Sequence, residues 1–97
     1  MDNIPDTQRP ADLYRQSTIH DIQAGQLLRL YRKKRKISQS QLADHAGVSF
    51  QQYQKYEKGQ NRISIGRLFL LCDGLKIKPS RFIGKLEKLN ENNTLDQ

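Results

Sequence analysis

A small all-α domain of five helices is the architecture this sequence predicts. Three observations predict it. Apolar residues recur at three- and four-residue steps along most of the chain, the spacing of one helix face. Ser38 and Ser49 each stand three places before a Gln, Gln41 and Gln52. That is the pattern of a capping box, in which the Ser oxygen and the Gln side chain each take up a free backbone N–H at a helix start. Between the two boxes lies Gly47, suited to the left-handed conformation that ends a helix. No β-hairpin signal and no internal repeat competes with this pattern.

Ninety-seven residues support one domain with a modest core. The formal charge of +7 is unevenly placed. Residues 1–21 hold four Asp and two Arg, a net of −2, which leaves +9 on the rest. A basic body points to a polyanion as partner, without separating DNA from RNA or an anionic membrane. No apolar run is long enough to span a bilayer and no signal-peptide pattern is present, so a cytoplasmic, non-membrane protein is expected. The single Cys72 excludes an internal disulfide and lies in the apolar run LFLLC, where a buried hydrophobe is expected rather than a nucleophile. His20 and His45 lack a second ligand at metal spacing and are read as solvated, so no metal is expected. No Ser/His/Asp or Cys/His set and no phosphate-cradling glycine loop stands at credible spacing. The chain is therefore read as a non-enzyme without a cofactor.

In order, residues 1–20 read as a flexible leader interrupted by Pro5 and Pro10, with residues 11–16 able to form one helical turn. An arm reaching along DNA is the functional alternative, disfavoured by the leader's acidity. The domain proper is expected over residues 21–89. Helix one is expected at about residues 22–34, with Asp21 as N-cap and Ala24, Leu27, Leu28 and Tyr31 facing inward. Its other side turns basic through Arg29, Arg32 and the run 33–36; cations in the last turn favour the helix's negative end by ~0.3–1 kcal/mol each. Helix two follows Ser38 and buries Leu42, Ala43 and Ala46. Val48 plugs the turn. Helix three follows Ser49 and turns Tyr53 and Tyr56 inward, and Gly59 stops it. Helix four is expected from Ile65, behind the N-cap Ser64, to about Asp73, with Gly74 as its C-terminal stop. Pro79 opens helix five, which is expected to run to about Leu89, leaving residues 90–97 as a polar tail.

Helices two and three, joined by a short Gly-containing turn over residues 38–57, form a helix-turn-helix unit. The alternative is an ordinary helical hairpin. Helix three, however, carries Gln, Lys and an exposed aromatic on its outer face. A Gln can bond two ways to an adenine edge, and Lys suits guanine or phosphate. Those side chains point to duplex DNA.

Gly25, Leu28, Arg29, Arg32, Ile37, Ser38, Gln39, Leu42, Ala43, Gly47, Val48, Ser49, Tyr53, Tyr56, Glu57 and Gly59 together resemble the lambda-repressor/Cro (XRE) family of bacterial and phage regulators. The resemblance covers about residues 22–83. It implies a lambda-repressor-like fold and a sequence-specific transcriptional regulator, acting as a repressor on a pseudo-palindromic operator. Carried over by position, the base-reading residues are Ser49, Phe50, Gln51 and Lys55, with Gln54 close by. The aromatic at position 50 departs from the common pattern, which favours contact with a thymine methyl there over polar readout. Gln39 matches the family's phosphate-binding Gln, and Lys58, Asn61 and Arg62 would hold phosphates beyond helix three. Arg32 and Glu57 match a structural ion pair between helices one and three. The family's homodimer implies a seam, for which the stripe Phe82, Ile83, Leu86 and Leu89 on helix five is the candidate. The competing reading places Phe82 and Ile83 in the monomer core and leaves only Leu86 and Leu89 exposed. A second class of function is a protein-interaction module, such as an antitoxin whose partner is a toxin or effector protein. RNA binding ranks below both, because the aromatics are assigned to the core.

Overall fold

Helix ends set this architecture. The computed structural model describes residues 18–95, with side chains to residue 91. Five helices follow one another: α1 (Ile19–Arg35), α2 (Gln39–Ala46), α3 (Phe50–Glu57), α4 (Ile65–Leu75) and α5 (Pro79–Leu95). Four of them start on a hydroxyl. The Oγ atoms of Thr18, Ser38, Ser49 and Ser64 accept the backbone N–H three residues on, at 3.3, 3.0, 3.0 and 3.1 Å. Each satisfies one of the donors a helix start leaves free.

The same four helices stop in one way. At each end a left-handed residue turns the chain, at Lys36, Gly47, Gly59 and Lys76, with φ of 58°, 72°, 71° and 57°. The following N–H then reaches back five residues: Ile37 to Arg32, Val48 to Ala43, Gln60 to Lys55 and Ile77 to Cys72, at 2.9–3.1 Å. These are Schellman turns, whose characteristic apolar residue after the stop folds back on the helix. Ile37, Val48 and Ile77 fill that role, and all three pack on the core.

Several expected boundaries move. Asp21 is not the N-cap of α1 but the third residue of a capping box with Thr18, whose N–H it accepts at 2.9 Å. The helix therefore begins at Ile19, so residues 18–20 of the expected leader belong to it; the remainder of that leader lies outside the described residues. Gly74 does not stop α4, which runs on to Leu75 and turns at Lys76. A side chain at Gly74 would strike Leu42 and His45 of α2, so this glycine allows two helices to approach. The last helix continues to Leu95, beyond the expected stop near Leu89. At Ser49 only half of the expected box forms, because the Gln52 amide oxygen accepts Asn61 Nδ2 at 3.1 Å instead.

The core lies where α1 packs on α3 and α5, and α2 on α3 and α4. Leu28, Leu42, Tyr53, Leu71, Leu75 and Phe82 are its largest fully buried side chains. Each such residue contributes about 1.5–3 kcal/mol by leaving water. Phe82 belongs here, its ring 6.2 Å from that of Tyr31. The expected α5 seam is therefore wrong at Phe82, which is wholly inside the monomer. Leu86 and Leu89 are half-buried against the same core, and Ile83 is the exposed member of the four. The competing reading erred too, by placing Ile83 inside and the two leucines outside. Cys72 is fully buried, and burial pushes its thiol up to about 11.

Candidate nucleic-acid interface

α3 is held from beneath and open above. Tyr53 and Tyr56 point inward, packed edge to face with centroids 6.5 Å apart. The other side presents Phe50, 40 % exposed, with Gln51 and Lys55 exposed beside it. Gln51 and Lys55 are one turn apart and share that face. Gln54 is half-buried at its edge, and Ser49 stands exposed at the helix start with its Oγ engaged as cap.

Four polar side chains converge on the end of α3. Arg32 Nε donates to Glu57 Oε2 at 2.6 Å and Nη2 to Oε1 at 3.3 Å, a two-pronged pair from α1 to α3. Tyr53 Oη donates to Oε2 at 2.5 Å, and Gln39 Nε2 to Oε1 at 2.9 Å. The remaining Arg32 nitrogen, Nη1, donates to the Ile37 carbonyl at 3.0 Å. The Arg32 and Glu57 side chains are only 11 % and 5 % exposed, so the pair stands in a low-dielectric setting, with every Arg32 nitrogen and both Glu57 oxygens hydrogen-bonded. Burial alone would raise the Glu57 carboxyl, but the Arg32, Tyr53 and Gln39 donors outweigh it and hold the group below its ordinary range. Its hydrogen bond to Glu57 raises Arg32, and burial, reinforced by the carboxylate, pushes Tyr53 well up. All three keep their protonation state at neutral pH.

Close backbone approach completes the mounting of α3. Gly25 lies directly against the Tyr56 and Glu57 carbonyls, and a Cβ there would collide with both. Gly59 combines a left-handed φ with a backbone so near Ile22 that a Cβ would sit 2.6 Å from its Cα. Only glycine meets both conditions at that turn.

The structure brings Gln39 to the network as well as to the α2 N-terminus. One amide hydrogen is used on Glu57; the other remains at the helix start, where backbone N–H groups favour an anion. Asn61 is half-buried and ties the α3–α4 loop to Gln52, while Lys58 and Arg62 are exposed beyond α3. Ile83, Leu86 and Leu89 lie on α5, apart from these groups.

Two arginines escaped the sequence reading. Arg67 of α4 donates to the Ala46 carbonyl at 2.6 Å, and Arg35 of α1 to the Leu75 and Lys76 carbonyls at 3.0 and 3.2 Å. Both place a cation on the negative end of a neighbouring helix. Arg67 thereby fixes the turn between α2 and α3. His45, expected to be solvated, is half exposed and contacts Asp73 Oδ2 through Nε2 at 2.7 Å. No local pattern announces such contacts, since the partners are 20 to 41 residues apart. Among the described residues, no helix is long and apolar enough to cross a membrane.

Known proteins resemble this chain in sequence and in fold. A helix-turn-helix family profile matches residues 28–82, more than half the chain. A regulator of Rhodospirillum rubrum, described as a transcriptional regulator in an ATPase CF(0) region, is 44 % identical over 73 residues, covering 73 % of this chain and 68 % of its own. The helix-turn-helix-type transcriptional regulator y4aM of Sinorhizobium fredii is 47 % identical over 62 residues, 64 % of this chain and 43 % of its own. The chain thus spans less than half the length of that relative. Among solved structures, the restriction-modification controller protein C.AhdI of Aeromonas hydrophila superposes with a TM-score of 0.64 at 28 % identity, over 67 % of this chain and 98 % of its own. The clp gene regulator ClgR of Corynebacterium glutamicum, at 19 % identity and a TM-score of 0.68 over 82 % and 89 %, shares the fold. By profile, relatives and geometry together, the chain belongs to the helix-turn-helix family, in the lambda-repressor/Cro lineage its motif residues resemble.

Proposed function

We propose that this protein is a sequence-specific, duplex-DNA-binding transcriptional regulator, a repressor that binds a pseudo-palindromic operator as a homodimer. The observation that carries the reading is the pairing of an exposed Phe50, Gln51 and Lys55 face with a buried network that fixes the end of the same helix. A rigid helix bearing Gln and Lys suits the major groove. There Gln51 would read adenine, Lys55 guanine, and Phe50 a thymine methyl. Gln39, Lys58, Asn61 and Arg62 would hold phosphates, which position the protein without reading sequence. Selection of bound sequences from a random duplex pool tests the reading directly. Log affinity for the selected duplex should fall linearly with log salt, with a slope near −0.9 per phosphate contact. A flat salt response, or no enriched sequence, contradicts it.

We place the homodimer seam away from the α5 stripe, whose Phe82 is fully buried and whose Leu86 and Leu89 are half-buried. α4 offers one: Ile65, Phe69 and Leu70 are 75 %, 56 % and 43 % exposed. This helix begins at the end of the loop leaving α3, so a second copy seated on it would stand beside the recognition helix. One domain alone has a small DNA interface, which a two-fold pair doubles. Replacing Ile65 and Phe69 with Lys should give a folded monomer by sedimentation with much weaker operator binding. Ile83→Lys should leave the dimer intact. The opposite pattern would return the seam to α5.

A further inference from the structure

We propose that the basic concavity where the ends of α1 and α4 meet the start of α5 holds the phosphate backbone of duplex DNA flanking the half-site read by α3. This rests on the DNA-binding reading above and extends it to a second surface. The concavity measures about 590 Å³, and its rim carries Lys34, Lys76, Lys78, Arg81 and Lys85. Among the described residues no carboxylate lines it, and none pairs with these five cations.

Lys34 and Lys76 lie at the negative ends of α1 and α4, but the fold gains little from the charge at α5. Lys78 and Arg81 stand at the start of α5, the positive end of the helix dipole, where cations are disfavoured. Lys76 occupies a left-handed position that glycine fills without strain. Arg35 is different: its guanidinium is bound to the Leu75 and Lys76 carbonyls, so it stiffens the wall of the concavity. Five cations from three segments therefore converge with no carboxylate among the described residues to neutralise them, a charge that a polyanion would offset.

Position and chemistry select the polyanion. A neighbouring groove runs from Lys76 and Lys78 to Ile37 and Gln41 at the start of α2. That is the helix whose N-terminus, with Gln39, would meet the operator backbone. The concavity thus adjoins the start of α2 through a groove that carries one carboxylate, Asp73. The floor is Ile77, 8 % exposed, and the half-buried Tyr31. Above it, a row of cations suits evenly spaced phosphates.

The test compares two duplexes with the full chain: the selected operator trimmed to its core, and the same core extended by about one helical turn of arbitrary sequence on each side. Extension should raise wild-type affinity about tenfold at low salt and steepen the salt slope by about −0.9 for each phosphate gained. Lys78→Ser, Arg81→Ser and Lys85→Ser together should abolish that gain and retain core affinity, base preference and melting temperature. Arg81→Lys, which keeps the charge, should keep the gain. A wild type that binds the core but gains nothing from extension overturns this proposal and leaves the regulator reading intact. A triple variant that keeps the full gain overturns it too, and favours an acidic protein as occupant. Wild type binding to neither duplex overturns both readings.

Discussion

Glu57 ties the recognition helix to the rest of the molecule. It accepts from Arg32 of α1, Gln39 of α2 and Tyr53 of its own helix. Glu57→Gln leaves the Arg32 guanidinium buried without a counter-charge, at a cost of ~3–5 kcal/mol measured by chemical denaturation. The loss is pH-dependent. A carboxylate held below its ordinary value of 4.5 adds stability that is complete above that value and vanishes as pH falls through the lowered one. The gap in melting temperature between wild type and Glu57→Gln should therefore be level at neutral pH and close in acid. A gap that widens in acid would contradict the assignment. In the sequence, Arg32 and Glu57 could be paired by family resemblance, and the structure joins them. The shares of Gln39 and Tyr53 were not legible. Helical periodicity tells which way Tyr53 points but not what its hydroxyl meets.

At the scale of elements, local chemistry announced helix starts better than helix stops. Ser38, Ser49 and Ser64 cap as their spacing implies, because an N-cap acts within one turn. Two stops fall on Lys36 and Lys76, residues that carry no turn signal; tertiary contacts from Ile37, Ile77 and Arg35 decide them. Conversely, Gly74 looked like a stop and is a packing contact. Gly25 is the position where this distinction matters most for function, since its missing side chain sets the distance between α1 and the end of α3. Gly25→Ala should cost ~1–3 kcal/mol by overpacking, with the added methyl meeting backbone carbonyls that cannot turn aside. Because that strain displaces α3, operator affinity should fall even under conditions where the variant is fully folded. Full affinity together with full stability would contradict the close approach.

For the whole molecule, the five-helix architecture and the motif were readable from spacing, caps and charge, whereas the association surface was not. An apolar stripe at helical spacing looks the same whether it faces the protein's own core or a partner. The α5 stripe buries Phe82 and half-buries Leu86 and Leu89, whereas α4 carries three exposed apolar residues, Ile65, Phe69 and Leu70, besides its buried ones. The bias of positive charge away from residues 1–21 was legible, but not which cations the fold gathers around one concavity. We propose that α3 reads bases through Gln51 and Lys55 while Glu57, Arg32 and Tyr53 hold it in place. The most direct measurement is a binding profile of wild type, Gln51→Ala and Lys55→Ala over all single-base variants of the selected operator, with melting curves for each. Melting should be unchanged, with a loss of ~1–3 kcal/mol on the best operator and flattened preference at the base pairs each residue addresses. Unaltered base preferences in both variants would contradict it.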